Sequence, residues 1–226
     1  MIPEISCIIY DMDGLLLDTE GIYTEVTQDI VSEYGKVFDW SIKKKIIGRR
    51  SIDAAKIIVE SLDLPITPQD YLNLRKDVLL ERFGDTKALP GAKALTKHFN
   101  QRGIPQAIAT SSSSPIFEAK YEKHKKWFSQ FEQIIRGDDP QLKEGKPAPD
   151  IFLLAAKRIG VAAEKCLVFE DAPSGTEAAL AAGMSVVVVP DPNMDHKFYK
   201  NASQIISSLK DFDPEYWGLP KYNKAI

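Results

Sequence analysis

Ile5-Ser-Cys-Ile-Ile-Tyr10-Asp11-Met-Asp13-Gly14 is the stretch on which the reading of this chain turns. Its first six residues are mostly apolar and rich in isoleucine, the length and composition of a strand buried on both faces. Two carboxylates, Asp11 and Asp13, leave the carboxyl end of that strand together. In an open α/β sheet, ligands bind at that end. One carboxylate can act as a nucleophile while the other carries a proton, and a cation can hold their charges together. The pattern suits phosphoryl transfer.

The next strand-like run does not come until Ile104-Pro-Gln-Ala-Ile-Ala109, and the interval reads as helix. Ile22, Val26, Ile30 and Tyr34 recur at helical spacing, with Gly35 as a stop. Ser41 is expected to cap a short helix through Ile47, ended by Gly48, and Ser51 to cap another with Ala54, Ala55, Ile58 and Leu62 on one face. Thr67-Pro68-Gln69-Asp70 predicts a helix start, a capping residue followed by proline at the first helical position. Tyr71, Leu74, Val78 and Leu79 continue it, and residues 84–91 form a linker ending in Pro90-Gly91.

From Ala92 onward helices and strands alternate. Helices are expected over 92–102, 150–159 and 174–182, with a charged helix after the serine-rich turn at 111–114. Strands are expected over 104–109, 133–136, 166–169 and 185–189. This alternation predicts an α/β fold: a doubly wound parallel sheet forming a core domain from residues 1–14 and 90–226. The interval 15–89 is expected to be an inserted all-helical cap. The tail from Asp211 to Ile226, with Trp217-Gly-Leu-Pro220, is expected to pack locally on the core.

The 226 residues carry a net charge of −3, so no global basic field recruits nucleic acid. Cys7 and Cys166 sit in apolar runs and read as small buried residues, which fits a reducing compartment. His98, His124 and His196 lie among charged residues without zinc-ligand spacing and are expected at the surface. Met1-Ile2-Pro3-Glu4 lacks the basic start of a signal peptide, and no apolar run approaches the ~18 residues of a membrane span. A cytoplasmic monomer is the expectation. Lys43-Lys44-Lys45 with Arg49-Arg50 reads as a solvated helix face before an RNA contact. Arg49, in a turn between cap helices, is a candidate substrate contact.

Later segments repeat the chemistry of the first. Thr110-Ser111-Ser112-Ser113-Ser114 follows a strand and offers hydroxyls and N–H groups for a phosphate. Glu170-Asp171 is a second carboxylate pair at a strand end, and Lys146 precedes a helix. At one sheet edge these would supply a nucleophile, a proton carrier, an ammonium and oxygen ligands for magnesium. Asp13, as the proton carrier, is expected to have a raised pKa.

Four motifs, DMDGLLLDTE, ATSS, EGKPAPDIF and VFEDAPSG, stand in order between residues 11 and 175. Together they resemble the haloacid dehalogenase superfamily of phosphatases with a small helical cap. GDDP, GKPAPD, ALAAGM and WGLP resemble the branch that holds pseudouridine-5′-phosphatases and plant glycerol-3-phosphatases. The resemblance implies that Asp11 is the nucleophile that becomes an aspartyl-phosphate and that Asp13 is the general acid/base. It implies that Thr110 and the Ser111 N–H bind phosphate and that Lys146 neutralises charge. Magnesium would be held by Asp11, the Asp13 carbonyl, Asp171 and, directly or through water, Glu170. The implied substrate is a small phosphorylated metabolite such as pseudouridine 5′-monophosphate or glycerol 3-phosphate. Three alternatives stand beside it. A sugar phosphomutase would carry a cap histidine where this chain has Tyr23. A dehalogenase would lack an acid at Asp13. A non-catalytic binding protein would not need the full set of acids and lysine.

Overall fold

The computed structural model describes residues 4–222; Met1-Ile2-Pro3 and the last four residues of the tail lie outside the described residues. Six strands form one sheet in the order β3-β2-β1-β4-β5-β6: β1 Cys7–Tyr10, β2 Gln106–Ala109, β3 Gln133–Ile135, β4 Cys166–Glu170, β5 Ser185–Val188 and β6 Gln204–Ile205. All pairings are parallel. β1 is central, flanked by β2 and β4, which is why it is apolar on both faces.

Side chains alternate strictly between two cores. Cys7, Ile9, Ala107, Ala109, Val168 and Val186 face one, with helices α8 (Asp150–Ile159) and α9 (Pro173–Ala181). Ile8, Tyr10, Ile108, Phe169 and Val187 face the other, with α5 (Ala92–Gln101), α6 (Ser114–Tyr121) and the short α7 (Lys125–Phe128). The predicted doubly wound sheet is therefore observed, with one addition. β6 is a two-residue edge strand, too short to leave a pattern in the sequence.

Before α5, four further helices lie between β1 and β2: α1 Glu20–Ser32, α2 Trp40–Ile46, α3 Ser51–Leu62 and α4 Pro68–Phe83. They share a hydrophobic cluster that includes Val26, Ile58, Tyr71 and Phe83 and also draws in Ile116 of α6. Leu15, Leu16 and Leu17 pack instead in the sheet's own core.

Several local expectations are corrected. Asp39, not Ser41, caps α2, accepting from the Ser41 and Ile42 N–H groups. Ser51 is the first residue of α3, and Arg50 holds the cap position without a side-chain bond. Thr67 does cap α4 as expected, and with Asp70 it forms a capping box. The buried stripe of α4, however, is Tyr71, Arg75, Leu79 and Phe83, while Leu74 and Val78 are exposed. An arginine occupies a stripe position, so counting only apolar residues misplaced the face. His98 and His124 are buried, bonded to the carbonyls of Pro220 and Thr86, and only His196 is exposed. Among neighbouring charges they looked like surface groups, but each has a main-chain partner that removes the cost of burial.

Candidate active site

Strand parity assembles the site. Ile9 and Val168 face the same core, so two residues on, Asp11 and Glu170 point to that side as well. Register sets Tyr10 beside Phe169, which places these two acids abreast at the carboxyl edge of adjacent strands. The loop before α8, on the same side, delivers Lys146. Its buried ammonium donates to Asp11 Oδ1 at 2.5 Å, Glu170 Oε1 at 2.6 Å and the Ala109 carbonyl at 3.1 Å.

Asp171 completes an acidic group in which Asp11, Glu170 and Asp171 each offer an oxygen within 4.8 Å of the others, all three buried. Burial, opposed by Lys146 and aided by Glu170, pushes the Asp11 carboxyl up to about 7. Burial and the neighbouring acids push Asp171 well above the carboxylate range. One ammonium does not satisfy three acids. At an effective dielectric of about 20, each pair of carboxylates at this separation repels by on the order of 3 kcal/mol. A hard divalent cation fits this set of oxygen donors. Glu170 is already occupied: its second oxygen accepts from the N–H groups of Asp171 and Ala172 at 3.0 and 3.1 Å. Gly175 lets α9 lie directly against that carboxylate, since a Cβ there would fall 1.8 Å from Oε1. Gly14 plays the same part for Asp171, whose Oδ2 would lie 2.4 Å from an added Cβ.

Asp13 belongs to a second cluster. Lys120, fully buried on α6, donates to Asp13 Oδ1, and also to the Tyr23 and Ser112 hydroxyls at 2.9 Å each. Ser112 Oγ donates to Asp13 Oδ2 at 2.9 Å, and Thr110 Oγ1 approaches the same oxygen at 3.3 Å. Burial raises the Asp13 carboxyl, but the Lys120 charge and these hydrogen bonds outweigh it and hold it below its ordinary value. The expected raised pKa is thus not found in the free site, because a lysine invisible to the motif supplies the compensating charge.

A cleft between cap and sheet opens onto Asp11 and Asp13, with Ser111 and Ser112 on the core side and Tyr23, Arg49 and Arg75 among the cap side chains. Thr110 is fully buried, its hydroxyl engaged with Asp13 and the Ser112 N–H. Arg49 lines the cleft as expected, with its Nε donating to the Lys45 carbonyl. Lys43 departs from the solvated reading: it is half-buried, lines the cleft and pairs with Glu20 at 3.4 Å. Two hydroxyls fasten the cap turn to the core, Ser174 Oγ to the Ile47 carbonyl at 3.0 Å and Ser111 Oγ to the Gly48 carbonyl at 2.9 Å. Gly48 touches Ala172 so closely that a Cβ would fall 2.5 Å from its methyl group.

The structure brings Asp11, Asp13, Thr110, Ser111, Lys146, Glu170 and Asp171 to one sheet edge. Ser112 of the serine-rich turn is there too; Lys120 joins them without having been anticipated, and Arg75 faces them across the cleft from the cap, also unanticipated. For Lys120 a signal existed: it lies one helical turn from Ile116 and Phe117, on the buried stripe of α6.

The family model for haloacid dehalogenase-like hydrolases matches residues 5–183. (DL)-glycerol-3-phosphatase 2 of Arabidopsis thaliana is 48% identical over 98% of this chain and 95% of its own length. A probable pseudouridine-5′-phosphatase of Drosophila melanogaster is 39% identical over 98% of this chain and 97% of its own. CbbY from Rhodobacter sphaeroides, solved with phosphate, shares the fold at a TM-score of 0.79 and 23% identity, covering 92% of this chain and 96% of that one.

Proposed function

We propose, from the premise that this chain belongs to the haloacid dehalogenase-like hydrolases, that it is a magnesium-dependent phosphomonoesterase working through an aspartyl-phosphate. That it is a phosphatase of small phosphorylated metabolites rests on its relatives. Glycerol 3-phosphate and pseudouridine 5′-monophosphate are the leading substrates. The observation that carries the mechanism is the placement of Asp11 and Asp13 at the floor of one cleft, each held by its own buried lysine.

Asp11 attacks phosphorus through its free oxygen while Lys146 holds the other and keeps the carboxylate ionised. The ester P–O bond breaks, and Asp13 delivers a proton to the departing alkoxide. In the free site Asp13 is a carboxylate. The negative phosphoryl group arriving beside it favours its protonated form, the state the leaving alcohol requires. Asp13 then takes a proton from water, and the hydroxide formed attacks the aspartyl-phosphate. Inorganic phosphate leaves, and Asp11 is restored. Asp11, Asp171 and the Asp13 carbonyl, with Glu170 directly or through water, would hold magnesium, which would offset the charge of the carboxylates and phosphate oxygens. The cap excludes water from the cleft and selects the leaving group.

Tyr23 argues for hydrolysis over phosphoryl return to a sugar. Its hydroxyl accepts from Lys120 and serves as a fixed wall beside Asp13. The test is phosphate release across phosphorylated polyols, nucleosides and sugars, with magnesium and with chelator. Magnesium-dependent release with the highest kcat/KM for a polyol or nucleoside ester is expected; no release from any ester overturns the reading.

A further inference from the structure

Arg75 is the buried cation of the cap that the catalytic clusters do not use. It is 8% exposed, in the apolar stripe of α4 between Tyr71 and Leu79. Among the described residues no carboxylate lies within ion-pair distance of it and no hydrogen bond reaches its guanidinium. Its neighbours are the faces of Tyr71 and Tyr23, with ring centres at 5.4 and 5.9 Å. Arg82, two helical turns along, pairs with both Glu25 and Asp29. A buried charge without a partner is costly, and it is retained where something else completes it. What remains open to Arg75 is the cleft, which it lines together with Asp11 and Asp13.

We infer that Arg75 is a specificity residue that donates hydrogen bonds to the leaving group, and that the leaving group is a polyhydric alcohol. This rests on the hydrolytic reading above and goes beyond it. A guanidinium offers only donors. The cleft wall beside it also offers acceptors: the Glu20 carboxylate, and Thr24, whose hydroxyl proton is committed to the Glu20 carbonyl at 2.8 Å. A wall of mixed donors and acceptors matches hydroxyl groups, which both give and take a proton. Glu20 is itself paired with Lys43 at 3.4 Å, so what favours hydroxyls is this mixture of donors and acceptors and not repulsion of anions. The planar fork of arginine can hold two neighbouring oxygens at once, which a lysine cannot reproduce.

The experiment compares kcat/KM for glycerol 3-phosphate and for p-nitrophenyl phosphate, whose leaving group carries no hydroxyl beyond the ester oxygen. Wild type, R75M and R75K are measured with magnesium, with thermal melts of each. The polyol-to-aryl ratio of kcat/KM is expected to fall at least about tenfold in R75M, chiefly through a higher KM for glycerol 3-phosphate. R75K keeps the charge but lacks the fork, so it should recover only part of that ratio. Because R75M removes an unpaired buried charge, its Tm should match or exceed that of wild type. An unchanged ratio in both variants overturns the assignment, as does a ratio in R75K equal to that of wild type. A lowered Tm in both with equal loss on both esters makes Arg75 structural and overturns it too. Wild-type protein inert on glycerol 3-phosphate but active on another ester of the panel overturns the polyol assignment, whereas no release from any ester overturns the hydrolytic reading itself.

Discussion

Two buried lysines reach the same acidic loop from opposite faces of the sheet, and the two acids respond in opposite directions. Lys146, on the α8 side, must serve Asp11 and Glu170 with Asp171 close by. Lys120, on the α6 side, has Asp13 as its one ion-pair partner, its other contacts being neutral hydroxyls. Asp11 is pushed up and Asp13 is held down. The same residue pair, aspartate with lysine, thus behaves differently according to how many acids share the ammonium. The first cluster is left short of positive charge and calls for a cation; the second is balanced within the protein. The acid proposed to work beside a metal and the acid proposed to move a proton are separated by two residues of chain.

The largest effect should come from the crowded cluster. Asp11→Asn removes the proposed nucleophile and should lower kcat by about 10⁴-fold or more while substrate still binds, measured by phosphate release and by equilibrium binding. Substantial turnover in that variant would break the assignment of roles between the clusters.

Lys120→Met strips the balanced cluster of its only cation. A fall in kcat of about 10²-fold is expected. With the Lys120 charge gone, the Asp13 carboxyl rises, so the alkaline limb of the kcat/KM profile, where the proton donor is lost, should move to higher pH. An alkaline limb that stays in place would show that Asp13 is tuned by something other than Lys120. Stability should also fall, since the buried carboxylate loses its partner, by about 3–5 kcal/mol in a melt at neutral pH.

Glu170→Gln sharpens the contrast by relieving the crowding. One negative charge disappears, and magnesium affinity, measured by calorimetry, should weaken by about tenfold. The new amide must face either Lys146 or the two N–H groups that Glu170 now accepts, leaving a donor unsatisfied at a cost of about 1–3 kcal/mol.

The smallest effect is read in stability against pH. Asp11 is raised to about 7, so the metal-free folded protein keeps a proton that the unfolded chain loses above about pH 4. Metal-free stability should therefore decline as pH rises from about 4 to about 7, and magnesium, which competes with that proton, should stabilise more at pH 8 than at pH 5.5. At a hundredfold excess over Kd the gain is about 2.7 kcal/mol. Equal shifts in Tm at both pH values would count against Asp11 as a ligand.

The crowded cluster was legible in the sequence because each member sits directly at a strand end or helix start, where local pattern fixes position. Alternation along β1 and β4 then fixes which way the acids point. The balanced cluster was half legible. Asp13 belongs to the same motif, but Lys120 and Ser112 depend on how α6 lies against the sheet, a tertiary fact with only a faint local trace. Arg75 failed for a related reason: a polar residue in an apolar stripe shifts the inferred face, and the exposed Leu74 and Val78 drew the pattern the wrong way. The misplaced cap at Ser41 shows that hydroxyl and carboxyl residues near a helix start compete, Asp39 taking the place there, whereas at α3 the cap position falls to Arg50 with no side-chain bond.

The turn at Ile47 and Gly48 is fastened to the core through its own carbonyl oxygens. Every amino acid carries such an oxygen, so replacing the side chain at Ile47 leaves its fastening in place. Docking of the lid is in this sense decoupled from the identity of the residues it presents to substrate. Descendants of this chain could trade one alcohol for another by exchanging cap side chains while inheriting the same two hydrogen bonds to the core.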